Sequence, residues 1–176
     1  VVIGSIFGVE YYKGQKKQKI ATEYQTYAAF VDALEAGNIQ QIEDASALFA
    51  QDNQTYKTFG TLLLAKQAHE ADNFAEAETL LQEALKVEKD AGLASLLAYR
   101  LANVQFDQDN FDGALATLKS IDAVEFRGLV KTLEGDIFVA QGKLADAKIS
   151  YEEALLADVV PENAAQKLAT LSNVTE

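Results

Sequence analysis

The residues able to do acid–base or nucleophilic chemistry in this chain are few and poorly assorted. His69 is the only histidine, and cysteine is absent. A Ser–His–Asp arrangement therefore has one possible centre, while Cys–His pairs, thiolate or multi-histidine metal sites and disulfides are excluded. No glycine-rich phosphate loop follows a strand, because no convincing strand pattern exists. Carboxylate pairs do occur, at Glu43/Asp44, Glu76/Glu78 and Glu152/Glu153. Each lies in a helical stretch that needs a solvated face, so solvation accounts for them better than proton transfer does. His69 falls at the end of a helix and reads as a groove-lining or surface residue. The chain is not expected to be an enzyme, and it calls for no cofactor or metal.

The composition agrees with a scaffold. Of 176 residues, 49% are hydrophobic, enough for one domain with a sizeable core or for a short repeat array. One Pro, 10 Gly and abundant Ala, Leu, Glu, Gln and Lys indicate helix almost throughout. The net charge is −12 and unevenly spread. Residues 1–20 carry four lysines and one glutamate, a net of +3, which leaves −15 for residues 21–176. So acidic a body repels phosphate backbones, and nucleic acid is excluded as a general partner.

The elements that would position any site announce themselves through a recurring turn. Gly37-Asn38-Ile39, Asp72-Asn73-Phe74, Asp109-Asn110-Phe111 and Gly142-Lys143-Leu144 follow one another at spacings of 35, 37 and 33 residues. That period predicts stacked helical hairpins. Three hairpins are expected at about 56–88, 92–121 and 126–156, with Pro161 closing the third and a capping helix over 162–171. A degenerate copy precedes them at 22–50, with a short helix over 39–49 and a break at Gln51-Asp52-Asn53-Gln54. Small residues flank each good turn: Ala65 and Ala77, Ala102 and Ala114, Gly135 and Ala147, each pair separated by 12. Only small side chains let two helices of a hairpin cross closely, while Leu81, Leu118 and Tyr151 are expected to fill the space between hairpins.

These residues resemble the tetratricopeptide repeat over roughly 56–161, so the expected fold class is an all-α helical-hairpin solenoid. It has about three clear repeats, one degenerate repeat (Phe30 and Ile42 at its two small positions) and a C-terminal cap. The repeat's usual aromatic early in its first helix is absent; Thr61, Ala98 and Lys131 stand there. In such arrays the first helix of each hairpin lines the concave surface. Helical spacing opposite the packing positions then selects a partner-binding groove. Phe59, Leu62, Lys66 and His69 come from the first hairpin, and Leu96, Tyr99, Asn103 and Phe106 from the second. Leu129, Thr132, Asp136 and Val139 come from the third. This set is apolar and aromatic with a few polar handles, and suits an extended or helical peptide with apolar anchors. The competing reading has the N-terminal or C-terminal helix filling the groove from within.

The first nine residues are uncharged and apolar, and Tyr11-Tyr12 and the lysine cluster follow. This matches the exit end of a membrane-spanning helix, with an aromatic belt and snorkelling lysines, the alternative being an amphipathic helix that caps the repeat core. A span needs roughly 20 apolar residues, and the sequence has no initiating Met, so the anchor is expected to begin upstream. The expected organisation is the end of a membrane anchor with a basic linker at 1–20, and the repeat domain at 21–176.

Order and spacing of several short stretches carry a second resemblance. They are Tyr24-Gln25-Thr26-Tyr27, Asn53-Gln54-Thr55-Tyr56, Leu62-Leu63-Leu64-Ala65-Lys66, Arg100-Leu101-Ala102-Asn103-Val104-Gln105, Glu134-Gly135-Asp136, Asp158-Val159-Val160-Pro161 and Gln166-Lys167-Leu168. The whole chain is similar to the YfgM-type ancillary subunits of the bacterial SecYEG translocon. That resemblance implies a single-pass inner-membrane protein with a periplasmic repeat domain. It implies association with SecYEG and with a PpiD-type chaperone, in the service of exported client segments. The lysines after the apolar segment run against periplasmic placement unless a more basic loop precedes it. The alternative role is a structural or regulatory adaptor that sequesters a signalling protein, its groove internally occupied.

Overall fold

A computed structural model describes residues 2–37, 42, 44 and 54–174. They fall into two compact units, Val1–Leu63 and Leu64–Glu176. In the first, α1 is one helix over Val2–Glu35, about 50 Å long. It runs unbroken through the expected boundary between residues 20 and 21. Among its described side chains Phe30 and Ala33 are buried, and Ile42 is buried in the same unit. The larger residues of the degenerate repeat are thus core residues. The Tyr27 and Phe59 rings lie 6.3 Å apart in tilted packing. Lys13, Lys16, Lys17 and Lys19 are exposed. Among the described residues no helix is long and apolar enough to cross a membrane. The short helix expected over 39–49 lies outside the described residues, except that Ile42 and Asp44 are helical.

Helix α2, Gln54–Glu70, gives its first turns to the first unit and its last two to the second. The second unit continues with α3 (Phe74–Val87), α4 (Ala91–Asp107) and α5 (Phe111–Leu118). A 3-10 turn at Val124–Phe126 leads to α6 (Arg127–Ala140), then α7 (Leu144–Leu155) and α8 (Ala164–Val174). Among the described residues there is no strand. Helix α4 packs against α3, α5 and α6, which explains a sequence apolar nearly all round. Its start is fixed by Asp90, whose carboxylate accepts the Leu93 amide at 2.9 Å.

The recurring turn is a left-handed helix C-cap. Asp72 and Asp109 have φ of 58°, Gly37 65° and Gly142 74°. In each of the last three turns two backbone bonds close the helix. Asn73, Asn110 and Lys143 donate to the carbonyls of Ala68, Gln105 and Phe138 at 2.8, 2.9 and 2.8 Å. Asp72, Asp109 and Gly142 donate to His69, Phe106 and Val139 at 3.0, 2.9 and 2.9 Å. The pattern satisfies carbonyls that a helix end otherwise leaves bare. Aspartate tolerates this conformation less well than glycine. Replacing Asp72 and Asp109 together by glycine should raise stability by about 1 kcal/mol, and the melting temperature by about 3 °C. A lower melting temperature would contradict the account of the turn.

The small residues sit where the hairpins cross. Ala65, Ala77, Ala102, Ala114 and Ala147 are buried, and Leu81, Leu118 and Tyr151 are buried beside them. Ala102, Ala114 and Leu118 share one core with Val130, Leu133 and Ile137 of α6. A Cβ on Gly135 would lie 2.5 Å from Cδ1 of Tyr151, so the aromatic ring of α7 occupies the space glycine leaves. Where the repeat's usual aromatic is absent, two different things happen. Ala98 borders a cleft of about 380 Å³ between the base of the second hairpin and the end of α3. Lys131 instead reaches Glu134 and Glu153 at 2.7 and 2.9 Å, tying α6 to α7. Desolvation pushes its ammonium pKa down, but the bonds to the two carboxylates outweigh that and leave it raised.

A polar lock, unannounced by the sequence, joins α3, α4 and α5. Glu78 accepts from Gln105, Gln82 and Gln108 at 3.1, 3.0 and 3.0 Å. Gln105, which is buried, accepts in turn from Thr117 at 2.7 Å. Pairing a buried amide on both its nitrogen and its oxygen fixes the register of the helices that supply its partners.

Candidate functional site

The twelve residues expected to line a groove differ in burial and in the contacts they make. Phe59 and Leu62 belong to the first unit and are half-buried. In the second unit Lys66 is exposed and faces Glu70 at 3.6 Å. His69 is held between successive hairpins: its Nε2 lies 2.6 Å from Oδ2 of Asp107 at the end of α4, and its ring lies 5.3 Å from that of Phe74. This pair ties the end of α2 to the end of α4. Groups of three or more potential metal ligands are absent among the described residues.

Tyr99 and Phe106 differ most from their expected role. Both pack against the core shared by α4, α5 and α6. Tyr99 meets Phe126 at a ring separation of 6.3 Å, and Phe106 meets Phe111 at 6.0 Å. Burial raises the Tyr99 phenol above its ordinary pKa, with the Asp136 charge acting in the same direction and Asn103 and Arg100 against it. Polar substitution at these two positions would therefore test the core, not a groove. Thr132 is also buried, its hydroxyl donating to the Gly128 carbonyl at 2.9 Å. Leu96, Asn103 and Leu129 are half-buried, and Asn103 donates to the Tyr99 carbonyl at 2.7 Å.

At the C-terminal end, Asp136 and Val139 do share an opening. It is a cleft of about 460 Å³ between α6, α7 and α8, bordered also by Leu144, Asn163, Gln166 and Leu171. Its wall is organised by Asp136. The Lys167 ammonium of α8 donates to both carboxylate oxygens, at 2.6 and 2.7 Å, and the Tyr151 hydroxyl of α7 donates to Oδ1 at 2.7 Å. Burial and this bond to an anion hold the Tyr151 phenol far above its ordinary pKa. Asp136 thus spends its charge on the cap helix, and what it leaves open is neutral and largely apolar. Helical spacing singled out Asp136 but not Lys167 or Tyr151. The stretch Gln166-Lys167-Leu168, which carried part of the family resemblance, was the available signal.

With hairpin packing, turns and cleft in view, comparison with known proteins is informative. A family model described as tetratricopeptide repeat-like domain matches residues 1–172. A protein of Haemophilus influenzae, described as an ancillary SecYEG translocon subunit, is 33% identical over 158 residues, covering 86% of this chain and 75% of that protein. Proteins with the same description from Escherichia coli K12 and Aggregatibacter actinomycetemcomitans are 26% and 31% identical. The matches cover 90% and 88% of this chain, and 77% and 76% of those proteins.

Proposed function

The chain belongs to the tetratricopeptide repeat-like domain family, and on that premise we propose that it is a protein-binding module tethered to the bacterial inner membrane. It assists export at the SecYEG translocon and works with a periplasmic chaperone of the PpiD type. The observation that carries this reading is the match to ancillary translocon subunits along most of both chains. The tether is supported by the apolar residues 1–9, the tyrosines and lysines that follow, and the single helix α1 that runs from Val2 through them. The hairpin array, in which His69, Glu78 and Asp136 are engaged in ties between helices, supports binding over catalysis.

The test is co-purification of the full chain with SecYEG from detergent-solubilised membranes. Lys66→Glu with Val139→Asp changes the two most exposed of the twelve groove positions without entering the core. It should reduce co-purification at least fivefold while helicity is preserved. Undiminished recovery would remove the groove from the proposal, and failure of the wild-type chain to co-purify would remove the translocon. A second reading, an adaptor with an internally occupied groove, is favoured by one observation: α8 takes up Asp136 through Lys167. Under that reading Lys167→Ala should increase partner recovery.

A further inference from the structure

The end of α7 and the loop after it expose large apolar side chains that hairpin packing leaves uncovered. Leu156 is 78% exposed, and Ile149, Val159 and Val160 are also exposed. Leu156 directly follows the last turn of α7, seven residues or about two helical turns beyond Ile149. The loop that carries the valines is clamped by its backbone: the Val159 carbonyl lies against Gly128, and Pro161 Cδ would be 2.8 Å from a Cβ there. The backbone is fixed while the valine side chains face outward, so a partner would meet a surface already ordered. Exposed apolar clusters of this kind mark interaction sites.

Charge specifies the partner. Residues 149–166 contain Glu152, Glu153, Asp158 and Glu162 and no lysine or arginine. Glu153 is committed to Lys131, whereas Glu152, Asp158 and Glu162 are exposed around the apolar side chains. Two exposed cations adjoin the ridge, Arg127 next to Gly128 and Lys148 next to Ile149, and they leave the three exposed carboxylates in excess by one. We propose that this ridge docks a polypeptide segment whose apolar anchors are flanked by lysine or arginine. The inference rests on the protein-binding reading above and adds a surface outside the twelve groove positions.

The probe is a labelled synthetic amphipathic peptide of leucine and lysine, titrated by fluorescence anisotropy against the full chain. Its leucine–glutamate counterpart serves as the opposite-charge control. The lysine peptide should bind at least tenfold more tightly than the glutamate one. Leu156→Ser with Val160→Ser leaves every charge in place and should weaken lysine-peptide binding at least tenfold. Unchanged binding by that variant would reduce the effect to general attraction by an acidic chain and overturn the proposal. So would a dimer, seen by sedimentation, that excludes the peptide and dissolves in the same variant, because a second copy would then cover the ridge. A wild-type chain that binds the lysine peptide but fails to co-purify with SecYEG would keep the ridge and lose the translocon reading.

Discussion

Replacing Gly135 by alanine should destabilise the protein by about 2 kcal/mol and lower its melting temperature by about 6 °C. Two effects oppose each other at this position. Alanine in a helix interior is favoured over glycine by about 1 kcal/mol. Against that, the new Cβ would stand 2.5 Å from Cδ1 and 2.9 Å from Cζ of Tyr151. The ring cannot simply swing away. It is buried at 3% exposure, packed with Ala147 and Leu171, and its hydroxyl is bonded to Asp136. Overpacking of about 1–3 kcal/mol and a lost hydrogen bond of about 1 kcal/mol therefore outweigh propensity. Gly14 of α1 has nothing within 4 Å of a Cβ, and Gly14→Ala should be neutral or stabilising. Thermal unfolding of both variants decides the matter, and a stabilised Gly135→Ala would show that the third hairpin does not cross this closely.

Asp136→Ala should cost about 2–3 kcal/mol and loosen α8, because it strands two donors at once. The Lys167 ammonium loses its only described acceptor and the Tyr151 hydroxyl loses its partner, at sites where Asp136 and Lys167 are 22% and 32% exposed. Asp136→Asn should fall between, since it can still accept from the hydroxyl but no longer offsets the ammonium. Hydrogen exchange at Ala164–Val174 reads the loosening directly; protection unchanged in Asp136→Ala would mean that Leu168 and Leu171 hold α8 without help. The same network gives a pH dependence. Burial, together with the bond to Asp136, favours the neutral phenol in the folded chain. Its contribution is therefore complete below the ordinary tyrosine range near pH 10 and is lost as pH rises above it. Stability should decline above about pH 10 in the wild-type chain, and Tyr151→Phe should flatten that decline.

The architecture was legible because each repeat states its own needs locally. A helix that must end and reverse within three residues needs a left-handed cap, and Gly37, Asp72, Asp109 and Gly142 are residue types that accept it. Close crossing needs small side chains, hence the 12-residue spacing of Ala65/Ala77, Ala102/Ala114 and Gly135/Ala147. The groove was legible only in part. Helical spacing tells which residues share a face, and Tyr99 and Phe106 do share one. It cannot tell that Phe126 and Phe111, from a connecting turn and the next helix, fold over them.

The sequence by itself determined the helical repeat, its turns and small-residue crossings, and the scarcity of groups able to do catalysis. Those are properties of single residues and short spacings, set by backbone conformation and side-chain volume. Tertiary structure decided where the polar residues are spent. Glu78 with Gln105, His69 with Asp107, and Asp136 with Tyr151 and Lys167 pair across 27, 38, 15 and 31 residues. A charged side chain looks the same in the sequence whether it waits for a partner protein or for another helix of its own chain. Only folding brings the competing donor within 3 Å, and at Asp136 the chain's own cap helix reaches it first.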